Sequence, residues 1–409
     1  MRADLPGPLA ETLAGARAEA VIRACVHCGM CNAVCPTFQL TGDELDGPRG
    51  RIYLMKAALE GEAVGAETLT HLDRCLECRA CETACPSGVE YHRLLDVGRP
   101  FVEARVSRTW RERALRWLIL EVASDAGRFS VALAVARALG PFLPGPLRRK
   151  LPSRPPISSP AGGAGPRSGG GGRRMALLAG CVQAAAAPHF NAAAKRVFAR
   201  VGVALDEAPR AGCCGALAAH LGSPEEARRL ARRNIDAWLT EAEAGAEGLV
   251  VTASGCAAFL KDYPDLLADD PAYAERARRL AALVRDPVEV LGALPPTAVR
   301  APHRPRIAVH DPCTLRNASN LGGRVEALLR RLGYAPQPVR DAHLCCGSAG
   351  HYSLTQPAFA GALREAKLDA LREGAPDVIC TANIGCWMHL SETSPTPVRH
   401  WLELVDEVV

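Results

Sequence analysis

Several things are scarce or missing in this 409-residue chain. Aromatic residues make up only 5%, which leaves no interleaved stacking platforms for single-stranded nucleic acid. No stretch approaches the ~20 uninterrupted apolar residues of a membrane-spanning helix. The N-terminus has no basic segment running into an apolar one, so no secretory leader is read and a cytoplasmic setting is expected. No G-x-G-x-x-G opens a strand–helix unit, and no G-x-x-x-x-G-K-[ST] occurs, so the chain offers no flavin, nicotinamide or ATP site. The net charge of +5 is also misleading. Residues 144–174 hold seven Lys or Arg and no acid. Without them the remainder turns slightly negative, which removes the electrostatic case for a nucleic-acid partner.

Cysteine is abundant instead, with 17 residues. In a reducing compartment these are thiols open to metal rather than a disulfide framework. Eight of them form two runs of one pattern, C-x2-C-x2-C-x3-C-P. The first is Cys25, Cys28, Cys31 and Cys35 before Pro36; the second is Cys75, Cys78, Cys81 and Cys85 before Pro86. This is the ligand spacing of two-cluster bacterial ferredoxins, in which the fourth cysteine of each run serves the other cluster. The expectation is one [4Fe–4S] cluster on Cys25, Cys28, Cys31 and Cys85. A second is expected on Cys35, Cys75, Cys78 and Cys81. Zinc wants two separated pairs, not four cysteines within eleven residues.

The length suggests about two to four domains. Residues 1–100 read as an α-helical ferredoxin domain. Ile52, Met55 and Leu59 recur at helical spacing between the runs, and Leu69 and Leu72 mark a second short helix. Residues 101–143 read as a helical connector broken at Asp125-Ala126-Gly127. Its default is a packed hairpin, and its alternative a docking face for a partner or a membrane. Residues 144–174, about half Pro and Gly, read as a flexible linker. From Met175 onward, apolar runs at 175–180, 248–255, 306–311 and 377–383 alternate with helical stretches. This predicts parallel α/β units. The whole is an α+β multidomain chain.

The C-terminal half repeats itself. Cys181 and Cys213-Cys214-Gly215 are separated by 31 intervening residues, and Cys313 and Cys345-Cys346-Gly347 by the same 31. Each unit closes on a Gly-Cys, at Cys256 and at Cys386. Two copies of one α/β unit follow, 175–300 and 301–409. The lone cysteines fall at strand carboxyl ends, where α/β sheets place their sites. Four thiols converging in each unit suit a cluster or zinc. His310 and Asp311 read as strand-end hydrogen bonders, with a supporting role around metal as the alternative. His27 reads as exposed, Cys380 as a strand cysteine, and His343 stays open.

The stretches CVHCGMCNAVCPTF, CLECRACETACPSGVEY, HDPCTLRNA, CCGSAGHYSL and TANIGCWMHL resemble the iron–sulfur subunits of bacterial glycolate oxidase. The resemblance covers nearly the whole chain outside the linker. It implies two [4Fe–4S] clusters on the eight cysteines of the runs, with one or two more centres at the CCG units left open. It also implies an FAD-containing catalytic subunit, a second flavin-type subunit, and electron transfer to a quinone or other membrane acceptor. That places the protein in the cytoplasm, at or near the inner face of the membrane. The corresponding subunits of lactate and anaerobic glycerol-3-phosphate oxidation share these motifs and are alternatives. So does heterodisulfide reductase, whose CCG units end in C-x2-C. Here Ala253 and Asn383 stand where the first of those cysteines would be. A four-thiol cluster, zinc and bare thiols therefore all stay open, and with them a thiol–disulfide enzyme and a zinc-held scaffold.

Overall fold

The computed structural model describes residues 1–152, 173–292 and 305–409. Every regular element of the first hundred residues is a helix. Helices Leu13–Ala24, Pro48–Leu59, Ala66–Asp73 and Tyr91–Glu103 surround one core. Its members include Ile22, Ile52, Met55, Leu59, Leu69, Leu72, Leu94 and Val102, and the cysteine runs pack on its rim. The helical spacing around Ile52 and Leu69 thus marks true core faces.

Helices Trp110–Ala123 and Ala126–Ala138 follow. Thr109 opens the first with a capping box. Asp125 breaks the pair and caps the second by accepting from the Arg128 N–H. Each helix buries one face only. Arg116 and Ile119 point inward, whereas Trp110 (67%), Trp117 (62%), Val131 and Val135 are exposed. The two helices pack on each other as a hairpin, with one side covered and the other bare. The segment 144–174 also departs from a pure linker. Helix Gly145–Arg149 lies within it, and Arg173 and Arg174 already belong to a strand. Residues 153–172 fall outside the described residues.

The rest of the chain is two four-stranded parallel sheets. β1 (Arg173–Leu177), β2 (Val203–Glu207), β3 (Leu249–Val250) and β4 (Val284–Arg285) are ordered β2-β1-β3-β4. β5 (Arg306–His310), β6 (Ala335–Gln337), β7 (Val378–Thr381) and β8 (Val398–His400) are ordered β6-β5-β7-β8. The identical order, all parallel, is the structural form of the repeat seen in the cysteine spacing. The two sheets share a core in which Leu177, Phe198 and Val250 of the first unit meet Ile307, Val309 and Trp401 of the second. Helix Pro188–Arg200 lies along helix Trp401–Asp406, and Arg196 and Arg200 reach Asp406. Among the described residues, no helix is long and apolar enough to cross a membrane.

Candidate metal centres

Tight turns carry the cysteine runs. His27, Gly29, Glu77 and Arg79 adopt positive φ, which folds each C-x2-C-x2-C back on itself. The prolines after the fourth cysteines differ in outcome. Pro36 starts a helix, where its fixed φ is pre-organised. Pro86 enters a turn.

Two hollows result. Cys25, Cys28, Cys31 and Cys85 line the first, with Cys81 at its edge. Cys35, Cys75, Cys78 and Cys81 line the second. The hollows share Cys81 and Tyr91 as a common wall. The first opens outward: Cys28 is exposed, Val26 and Met30 are bare, and His27 lies in the open, stacked on Tyr53. The second has no exposed cysteine: Cys35 is buried and Cys75, Cys78 and Cys81 are half-buried. Arg51, only 1% exposed, donates through Nη2 to Thr37 Oγ1 at 3.1 Å and through Nε to the His71 carbonyl at 2.7 Å. Its charge is balanced by Asp46, which also holds Arg74 and His71.

The electrostatics of the thiols fit a cationic iron core. Burial pushes Cys31 up to about 11, and the neighbouring Cys25, Cys85 and Cys28 add to it. Burial raises Cys78 and Cys81 well above the ordinary thiol value, with nearby thiols adding again. Four clustered thiols resist joint ionisation unless a positive group sits among them, and a metal core is such a group.

In the α/β half, the lone cysteines stand just past the strands. Cys181 and Cys313 follow β1 and β5; Cys256 and Cys386 lie in the first turns of helices Ser254–Lys261 and Ile384–Ser391, after β3 and β7. Gly215 (φ 94°) and Gly347 (φ 88°) turn the chain back after each vicinal pair. A Cβ at Gly347 would lie 2.7 Å from the Ala360 carbonyl oxygen. In the first unit, Sγ of Cys181 lies 3.6 Å from Sγ of Cys213. Hydrogen bonds from Cys181 and Cys214 hold Cys213 well below the usual thiol range. Asn234 and Tyr263 pin the pair's backbone by donating to the carbonyls of Cys213 and Cys214. In the second unit, Sγ of Cys313 lies 4.0 Å from Sγ of Cys345. Cys380 is a fully buried strand residue, as its sequence setting suggests.

Both thiol sets open on one cavity of about 500 Å³, roofed by Ile119, Phe129, Leu133 and Leu151. The ferredoxin region meets this half through specific contacts that sequence reasoning missed. Asn317 Nδ2 donates to the Cys78 carbonyl at 2.8 Å, and Tyr352 OH donates to the Arg74 carbonyl at 3.0 Å. Leu76, Cys78, Cys313 and Cys345 share one apolar cluster. The turn that carries Asn317, Thr314–Ala318, is π-helical, a widened turn often found at functional sites. On the other side, Glu77 binds Arg99 and His220, and Arg79 binds Asp262. The buried Arg51 and Arg99 carry no motif, so only their place on core helix faces could have flagged them.

Comparison with known proteins is consistent across the chain. A family model described as a 4Fe-4S dicluster domain matches residues 21–89. A model described as a cysteine-rich domain matches twice, at 175–261 and 307–391. The glycolate oxidase iron–sulfur subunit of Escherichia coli strain K12 is 46% identical over 416 residues, covering 100% of this chain and 99% of that protein. A probable glycolate oxidase iron–sulfur subunit of Bacillus subtilis strain 168 is 30% identical, covering 90% and 87%. Lactate utilization protein A of an Exiguobacterium strain is 25% identical, over 58% of this chain and 98% of that protein. A crystal structure of a hypothetical protein from Helicobacter pylori aligns with TM-score 0.52 at 11% identity, over 96% of this chain and 72% of that one. That last likeness is one of fold.

Proposed function

Because the chain belongs to the family of glycolate oxidase iron–sulfur subunits, we propose that it carries electrons from glycolate oxidation toward a quinone-type acceptor. The observation that carries this reading is the pair of adjoining hollows: Cys25, Cys28 and Cys31 with Cys85 and Cys81 line one, and Cys75, Cys78 and Cys81 with Cys35 line the other. We assign Cys25, Cys28, Cys31 and Cys85 to one [4Fe–4S] cluster. Cys35, Cys75, Cys78 and Cys81 take the other. Such clusters, when bound, accept and release single electrons.

Oxidation of a 2-hydroxy acid removes two electrons, and this chain has no nucleotide-phosphate loop to hold a flavin. The chemistry at the acid therefore falls to an FAD-containing catalytic subunit, joined by a second flavin-type subunit. The exposed stripe of Trp110, Trp117, Val131 and Val135 supports a chain that works beside a neighbour. The first hollow faces outward and suits electron entry. The second abuts Cys313 and Cys345, so the CCG half lies on the exit side. A lipid-soluble acceptor puts the assembled complex at the inner face of the cell membrane.

The test is to purify the chain anaerobically with its partner subunits and add glycolate. The iron–sulfur EPR signals should appear within turnover. Clusters that stay oxidised with glycolate but are reduced by D-lactate would reassign the substrate. Absence of iron from the chain would end the electron-carrier reading.

A further inference from the structure

The two CCG units share strand order and thiol placement, yet they differ beneath the thiols. Three residues before Cys313 stands His310, at the end of β5. Three residues before Cys181 stands Leu178. Each is 3% exposed. Leu178 packs into the apolar core of its unit alongside Cys214. His310 faces Cys346 and Cys386 instead. One imidazole nitrogen and the two Sγ atoms all lie within 4.8 Å of one another, and all three residues are buried.

We propose that the second CCG unit holds a single zinc ion on His310, Cys346 and Cys386, a site the first unit lacks. This rests on the reading of the CCG thiols as metal sites and deepens it for one unit. Zinc bonds of about 2.0–2.3 Å set neighbouring donors about 3.5–3.8 Å apart in a tetrahedron. The three donors already lie within 4.8 Å of one another, so each pair would close by about 1 Å around an ion.

The surroundings suit a metal more than a packed histidine. Thr381 Oγ1 lies 2.9 Å from His310 Nδ1. With Nδ1–H donating to that hydroxyl, the outer hydrogen bond that metal-bound imidazoles use, Nε2 would keep its lone pair for the ion. Asn383 Nδ2 donates to Cys386 Sγ at 3.5 Å, a hydrogen bond that would orient a ligand sulfur. One nitrogen and two sulfurs are donors that zinc accepts readily. Binding displaces one proton from each thiol, so Zn²⁺ with two thiolates and a neutral imidazole carries no net charge. Cys346 and Cys386 also line the large cavity, so the fourth position is open to it. Three protein ligands and an open position are the pattern of reactive rather than structural zinc.

The experiment uses the full chain, purified anaerobically, with metal content by mass spectrometry and X-ray absorption at the zinc edge. About one zinc per chain is expected, with two sulfurs and at least one nitrogen around it. His310→Leu, which copies the residue of the first unit, should lose the zinc while iron content and dicluster EPR signals stay unchanged. Thr381→Val, a gentler change, should weaken zinc retention against a chelator about 10- to 100-fold. Cys214→Ser in the first unit should leave zinc in place. Zinc retained by His310→Leu overturns the assignment. So does iron bound at Cys346 and Cys386 in place of zinc, although the metal-site reading then survives. Failure of the second unit to bind any metal, even with added Zn²⁺, sinks both.

Discussion

Nη1 of Arg51 lies 4.0 Å from Sγ of Cys35, and both side chains are closed off from solvent. Thr37 bridges the two: its hydroxyl is 3.3 Å from that sulfur and accepts from Arg51 Nη2. Positive charge and hydrogen bonds near a ligand sulfur stabilise the reduced, more negative form of a cluster. Arg51→Gln should therefore lower the reduction potential of the second-hollow cluster by tens of millivolts, where about 59 mV is tenfold for one electron. The first cluster, flanked by the half-exposed Arg49, should keep its potential. An EPR-monitored redox titration resolves the two. Equal shifts in both clusters, or none, would remove Arg51 from this role.

Crossed ligation makes a second prediction. Cys35 belongs to the first run but lines the hollow of Cys75, Cys78 and Cys81. Cys35→Ser should damage that cluster and spare the one at Cys25, Cys28 and Cys31, with about four iron atoms lost per chain. Cys85→Ser should do the reverse. Mössbauer and EPR spectra of the two variants should be complementary.

Asp73 ties the ferredoxin domain to the hairpin. Arg108 grips both its oxygens, at 2.6 and 3.0 Å, and Arg116 reaches it at 2.9 Å. Burial works to raise its pKa, but the Arg108 hydrogen bond and the charges of Arg116 and Arg108 outweigh it and hold the carboxyl below its ordinary value. Asp73→Asn leaves buried guanidinium charge short of a partner and should cost about 3 kcal/mol. The wild-type contribution is present above about pH 4 and is lost as pH falls through the depressed value. Denaturation of wild type and variant should therefore converge in acid and separate at neutral pH.

Asp286 runs the other way. It is 1% exposed and caps helix Pro287–Leu291 by accepting from the Val288 N–H. Burial pushes it up to about 7, with Glu289 and Asp311 adding and the Val288 hydrogen bond opposing. The folded chain then holds a proton that the unfolded chain releases, so stability falls as pH rises from about 4 to about 7. Asp286→Asn keeps a cap and removes the charge. It should match wild type near pH 4 and exceed it by about 4 kcal/mol at pH 8. Melting curves across that range decide the matter, and an unchanged difference at all pH values would count against it.

Much of this was legible in the chain because it is written in local spacing. Helix Pro224–Glu243 is one of the helical stretches that alternate with the apolar runs, and its apolar positions recur strongly at helical period. The four central strands were found as apolar runs. The edge strands were not. β4 has two residues and β6 none that is buried, so neither leaves a hydrophobic signature. The hairpin left two readings open for a related reason. Trp110, Ala114, Trp117 and Leu118 form one apolar stripe, but periodicity shows only that a stripe exists, not whether anything covers it.

The sequence by itself determined the chemistry on offer: two four-cysteine runs, two CCG units and no flavin loop. Those depend on residue type and short spacing. Only the tertiary structure decided what stands beside the thiols. Arg51 reaches Cys35, Asn317 reaches the Cys78 carbonyl from 239 positions away, and His310 turns toward Cys386. Contacts of such separation arise when apolar faces pack and carry polar side chains in with them, and no local period encodes that.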